Sequence, residues 1–342
     1  MNNYLQNYIE TNRLKTAYYR AGEENREKLI VLHGNISSSV FFLPLLPYLE
    51  DRFDIIVPDL RCFGHSQALP IDATRGYRDW SDDIYEFCKE LKIKKFTLLG
   101  WSLGGDIAMQ FACDHPKMVK KLVLVCPGSP YGFGGTMDEK GTPHMPLGLG
   151  SGGGTTNPML VFAGKLGNSS MIRQIARDYL FGESFRMTEE WEDIFLEESS
   201  LAAIGPDYYP GDSMMTWKWP YVVAGDRGVL NTMSPKHGNL SHFLDIDPKP
   251  PVLWIRGASD QIVSDESMME LGNLGRLHLL PGWPGMRAYP PQPMIKQTRH
   301  FFEQYKERGG KYIELEIPGG HMCILESPVH FIKALDTFIA QK

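Results

Sequence analysis

The run Phe96-Thr97-Leu98-Leu99-Gly100-Trp101-Ser102-Leu103-Gly104-Gly105 decides the fold. An apolar stretch ends in Gly, the mark of a strand buried on both faces. The chain then enters a helical stretch, Asp106 to Asp114, closed by His115-Pro116. Between them lies G-x-S-x-G. A sharp strand-to-helix turn holds the central residue in strained backbone geometry, and small neighbours let the chain pass closely. The Ser102 hydroxyl is presented at a helix N-terminus, where free N–H groups and the helix dipole favour negative charge. Ser102 is the candidate nucleophile; the bland alternative is a tight turn with an idle Ser.

Working outward, the same apolar pattern recurs at Lys28 to Gly34, Phe53 to Asp59, Lys121 to Val125, Pro251 to Gly257 and Tyr312 to Ile317. Residues 4 to 20 alternate weakly and predict an opening hairpin. Between the runs lie helical patterns; Tyr77 to Leu91 carries Ile84, Phe87, Cys88 and Leu91 at i, i+3, i+4 and i+7. Strands alternating with helices imply the α/β class, a mostly parallel sheet covered on both faces. The alternation stops after Cys126. Residues 127–249 hold Gly-rich stretches (Gly132 to Gly135, Gly148 to Gly154) and helical patches around Ile172 to Phe181 and Glu189 to Leu201. They also hold Met214, Met215, Trp217, Trp219 and Tyr221. The organisation expected is a core of 1–126 and 250–342 with 127–249 inserted as a lid, its glycines giving flexible connection.

A serine hydroxyl needs a base. Where the nucleophile sits in such an elbow, the chain order is Ser, then Asp or Glu, then His. That order removes His33 and His65. Gly319-Gly320-His321 follows the last strand run, at the carboxyl edge where open α/β sheets place their sites, whereas His300 and His330 lie in helical stretches. His321 is the base. The acid belongs after the preceding strand, where Asp260 lies in Arg256-Gly257-Ala258-Ser259-Asp260. Its rival Asp265 fits better as an N-terminal carboxylate of the next helix. The oxyanion hole needs two backbone donors. Leu103, after the nucleophile, supplies one; Asn35, in the loop after the first long strand, supplies the other, with Ile36 as fallback. Trp101 and Ile36 are the expected substrate contacts, and His33 is read as structural.

Composition bounds the rest. The chain has 342 residues, 22% of them charged, and a formal charge of -6. That charge gives no footprint for nucleic acid, and Lys117, Lys120 and Lys121 read as a solvated helix end. Five cysteines with no C-x-x-C pair argue against a disulfide framework and a zinc site. No apolar stretch approaches the roughly 20 residues of a membrane-spanning helix, and the first residues lack a signal-peptide pattern. The expectations are a cytoplasmic protein without membrane attachment, requiring neither metal nor cofactor, with a homodimer left open.

Five pieces together resemble the α/β-hydrolase superfamily, in its esterase, C–C hydrolase and haloperoxidase-like branch. They are His33-Gly34-Asn35, Asp59 to Ser66, Gly100 to Gly105, Gly257 to Val263 and Gly319-Gly320-His321. Cys62 stands where the family's structural loop usually has Gly. Ser102 at the elbow argues against haloalkane dehalogenases and epoxide hydrolases, which carry Asp there. The resemblance implies the α/β-hydrolase fold and acyl transfer to water from a small to medium, mostly apolar ester or lactone. Two alternatives stay open: C–C bond hydrolysis with the same three residues, and a ligand-binding receptor of the same fold with little turnover. The Pro-rich stretch from Leu280 to Gln297 is a departure, read either as bordering the pocket or as a surface loop or dimer contact.

Overall fold

A computed structural model describes residues 4–144, 150–156, 173–174 and 176–341. Every apolar run becomes a strand of one sheet. In chain order these are β1 (Gln6–Glu10), β2 (Lys15–Ala21), β3 (Glu27–Leu32), β4 (Phe53–Pro58), β5 (Phe96–Trp101), β6 (Val119–Val125), β7 (Val252–Gly257) and β8 (Tyr312–Ile317). Their spatial order is β1-β2-β4-β3-β5-β6-β7-β8. The β1–β2 hairpin adds antiparallel to β4, and the other six strands run parallel. Crossovers between parallel neighbours need helices. The helices include α1 (Arg78–Glu90), α2 (Leu103–Asp114), α3 (Glu189–Ser200), α4 (Leu271–Arg276) and α5 (Met294–Glu307), all between strands, and α6 (Cys323–Glu326) and α7 (Pro328–Ala340), which follow the last strand.

Strand alternation divides the core into two layers. Ile30, Leu32, Leu98, Leu122, Leu124 and Trp254 face Trp80, Phe87, Ile107 and Phe111 of α1 and α2 and Phe301, Phe302 and Tyr305 of α5. Leu29, Val31, Leu99, Trp101, Val123 and Ile255 face Phe41, Phe42 and Leu45 and, from α7, Phe331 and Leu335. Lys121, expected at a solvated helix end, lies inside β6 at 7% exposure. Its ammonium donates to the carbonyls of Phe338, Ile339 and Gln341 at 2.6–2.8 Å, capping the C-terminal end of α7.

Between β6 and β7 the described residues hold α3 and two short strand pairs, Ser213–Met215 with Val222–Ala224 and Ile204–Gly205 with Tyr209–Pro210. The packing does not break at residue 249: Leu240, Phe243, Leu244 and Ile246 already belong to the layer under α5. Gly148 and Ile172 lie outside the described residues. The glycines expected to lend flexibility are packed tightly instead. A Cβ on Gly150 would lie 1.6 Å from the Tyr289 hydroxyl and one on Gly152 2.3 Å from Asn231 Oδ1.

The Pro-rich stretch docks onto this interval. Trp219 Nε1 donates to the Pro281 carbonyl at 3.0 Å, and Tyr289 packs edge-on to Trp219 and stacks on His144. The amide of Gln292 bridges Gly132 and Gly134. Its last residues, Met294 to Gln297, are the first turn of α5 rather than loop. Asp265 does cap a helix, but a distant one: Oδ1 accepts from Ile295 and Lys296 N–H at the start of α5. No described helix is long and apolar enough to cross a membrane.

Candidate active site

The carboxyl ends of β5, β7 and β8 converge on one place. At the end of β5 Ser102 has φ 54° and ψ −127°, a region of backbone space that non-glycine residues avoid and that functional sites retain. The turn is held by Ser102 N–H on the Val125 carbonyl (2.9 Å) and Gly105 N–H on the Ser102 carbonyl (2.7 Å). Close approach makes glycine obligatory around it. A Cβ on Gly104 would lie 2.4 Å from the Leu32 carbonyl oxygen, and one on Gly34 would lie 2.9 Å from Ser102 Cβ. Leu103 is the first residue of α2. The N–H there lacks an acceptor within the helix by position, which leaves it available to a ligand.

The loop after β7 carries Asp260 and the loop after β8 carries His321. Asp260 Oδ2 and His321 Nδ1 are 2.9 Å apart. Both are buried, at 8% and 2% exposure, and Ser102 is buried too, at 9%. The second carboxylate oxygen of Asp260 accepts the N–H groups of Ile262 and Val263 at 2.8 and 3.0 Å, which fixes the acid. Burial alone would lower the His321 pKa; the Asp260 charge and hydrogen bond outweigh it and raise it well above the usual imidazole value. An imidazole so placed is an oriented proton acceptor with a stabilised cationic form.

Trp101, expected against substrate, points the other way. Alternation along β5 puts it on the face of Leu99, in the core and 2% exposed. Its Nε1 donates to the His321 carbonyl at 2.8 Å and its ring lies 5.4 Å from the imidazole. It supports the imidazole from behind. Asn35 and Ile36 are half-buried in the loop after β3, and Ile36 has φ 46°. Asn35 Nδ2 contacts Met233 Sδ at 3.2 Å, while Oδ1 is buried with no partner. A buried acceptor left open beside the nucleophile loop is available to a substrate or a water. His33 has the structural place expected of it. Leu60 N–H donates to Nε2 and Nδ1 faces the Gly34 carbonyl and Ser37. Cys62 has φ 74°, which accounts for glycine being usual at that point. His65 reaches Glu198 at 3.5 Å with a side chain 39% exposed.

Sequence reasoning missed three site neighbours. Cys126 Sγ, at the end of β6, lies within 4.8 Å of the ligand atoms of both Asp260 and His321, and 3.8 Å from Cys323 Sγ. Burial raises the Cys126 thiol far above its usual range, so it stays neutral and does not compete as a nucleophile. Glu326 holds the backbone next to His321. Cys126 was foreshadowed by its place at a strand end; Cys323 and Glu326, in the turn after His321, carried no pattern of their own. An open cleft of about 530 Å³ lined by Tyr131, His242, His300 and Arg308 includes none of the site residues; chemistry, not cavity size, marks the site.

A family model described as alpha/beta hydrolase fold matches residues 28–284. An uncharacterized hydrolase of Bacillus subtilis, YugF, is 33% identical over 101 residues, 30% of this chain and 37% of YugF. This chain therefore spans little more than a third of that relative, and less of the others that follow it. Among solved structures, ALR0039 from Nostoc sp. PCC 7120 superposes with a TM-score of 0.61 at 17% identity, over 99% of both chains. The esterase EaEST from Exiguobacterium antarcticum also gives 0.61 at 17% identity, over 98% of this chain and 100% of its own. At such identity these two likenesses concern the fold.

Proposed function

Because the chain belongs to the alpha/beta hydrolase fold family, we propose that it is a serine hydrolase that cleaves a carboxylic ester or lactone through an acyl-enzyme on Ser102. His321 takes the Ser102 proton as Oγ attacks the carbonyl carbon. The N–H groups of Asn35 and Leu103 hold the developing oxyanion. The C–O bond breaks, and the leaving oxygen takes the proton from the His321 imidazolium. Water, deprotonated by His321, then attacks the acyl carbon; the acyl–Oγ bond breaks, His321 returns the proton to Oγ, and the acid leaves. Asp260 fixes the imidazole tautomer and stabilises its cation without taking its proton. The observation that carries this reading is the buried Asp260–His321 pair, 2.9 Å apart, packed against Trp101 of the strained elbow that carries Ser102.

Residues 127–249 serve as the lid, apart from Leu240 to Ile246, which pack in the layer under α5. Support comes from the contact of Met233 with Asn35 and from the low exposure of all three catalytic side chains. The substrate is small to medium and mostly apolar. Ser102→Ala abolishes turnover of p-nitrophenyl esters and labelling by a fluorophosphonate; unchanged turnover in that variant overturns the proposal. A panel of esters, lactones and a vinylogous diketone separates ester cleavage from C–C cleavage. Tight ligand binding without turnover would mark a receptor.

A further inference from the structure

Glu326 ends the short helix α6, one turn beyond His321. Its two carboxylate oxygens take two backbone N–H groups from different parts of the chain. Oε1 accepts from Gly320, the residue before His321, at 2.7 Å. Oε2 accepts from Gly182, in the interval between β6 and β7, at 2.8 Å. The backbone there crosses directly over the base loop. Met322 N–H donates to the Leu180 carbonyl at 3.0 Å. A Cβ on Gly320 would lie 2.7 Å from the Phe181 carbonyl carbon, and one on Gly182 would lie 3.0 Å from Glu326 Oε2 and 3.1 Å from Ser259 Oγ. Residues 180–182 thus lie between the acid loop at Ser259 and the base loop at Gly320.

We infer that Glu326 is a positioning residue that ties residues 180–182 to the His321 loop, so that the seating of the lid and the placement of the base are one event. The inference rests on the proposed roles of His321 and the lid. Only a carboxylate offers acceptors to both amides. A neutral amide offers one oxygen and turns N–H groups toward the other donor. Burial raises the carboxyl pKa despite these two bonds, and the Asp260 charge adds to the effect; the group is retained at a cost that a purely solvated glutamate avoids.

The test is Glu326→Gln, of nearly equal size, with amide hydrogen exchange and steady-state kinetics on the full chain. Exchange should quicken about ten-fold at both Gly182 and Gly320, and kcat should fall about ten-fold with KM changed far less, as expected when a base is slightly misplaced. Gly182→Ala, which pushes residues 180–182 off the carboxylate, should reproduce both effects and serves if the Gln variant fails to fold. Quickening at only one of the two amides, or an unchanged kcat when both quicken, overturns the inference. Ser102→Ala run beside them keeps the two questions apart. If that variant still turns over, the nucleophile assignment fails, while the exchange data still judge the tie.

Discussion

The elbow and the interval between β6 and β7 are both built on glycine, and they use it for different ends. At the elbow the glycines let backbone meet backbone. A Cβ on Gly104 would strike the Leu32 carbonyl at 2.4 Å, and neither partner can move without displacing a strand. In the interval Gly150 and Gly152 leave room for the side chains of Tyr289 and Asn231, and at Gly134 the need is conformational. Gly134 has φ 78°, and a Cβ there would meet nothing closer than 3.2 Å. The first use fixes distances between strands and so places Ser102. The second bends a chain around a surface. The placement of Ser102 is thus set where main chains touch.

That contrast can be strained in order of expected effect. Asp260→Asn acts at the elbow's own platform and should lower kcat/KM by about 10⁴-fold, through loss of the tautomer and of cation stabilisation. The pH profile sharpens this. Activity requires neutral His321, so in the native protein it rises with pH through a pKa held above the ordinary ~6.5. Without the carboxylate burial becomes the largest influence, and the acidic limb moves to lower pH; a limb that stays in place counts against the pair. Gly104→Ala comes next, with about 3 kcal/mol lost in chemical denaturation and a collapse of turnover, since the strands cannot yield. Smallest is Gly134→Ala, about 1 kcal/mol from left-handed backbone alone, with kcat close to that of the native chain. If Gly134→Ala proved the more damaging of the two, the division between platform and lid would not stand.

Local signals made the platform readable. β5, the Ser102 turn and α2 follow from an apolar run, a glycine pattern and a helical stretch in immediate succession, and Asp260 and His321 follow strand runs of the same kind. Other features depend on partners far along the chain. Trp101 was misread because its neighbour is Ser102, although strand alternation already sent it to the face of Leu99; its partner, the His321 carbonyl, lies 220 residues away. Asp265 was recognised as a helix cap but assigned to the wrong helix, because the N-terminus of α5 reaches it only in three dimensions. Lys121 looked like a surface charge because nothing local announces the carbonyls of α7. Glycine-rich stretches read as slack for the same reason: the side chains that press on them, Tyr289 and Asn231, come from elsewhere.

The pairing of β6 with β7 has a consequence for synthesis. β6 ends at Val125 and its neighbour begins at Val252, so at ribosomal speeds β6 waits about ten seconds for its partner. Throughout that wait it is an open sheet edge with the sequence VKKLVLV, the kind of strand that recruits a second nascent chain. Lys120 and Lys121 place two charges on that edge, as gatekeepers do beside unavoidable apolar runs. Once the C-terminal helix arrives, the Lys121 ammonium closes on its last carbonyls. A charge that lies on an open edge during synthesis thus becomes, in the folded chain, the latch on a helix that emerges long after it.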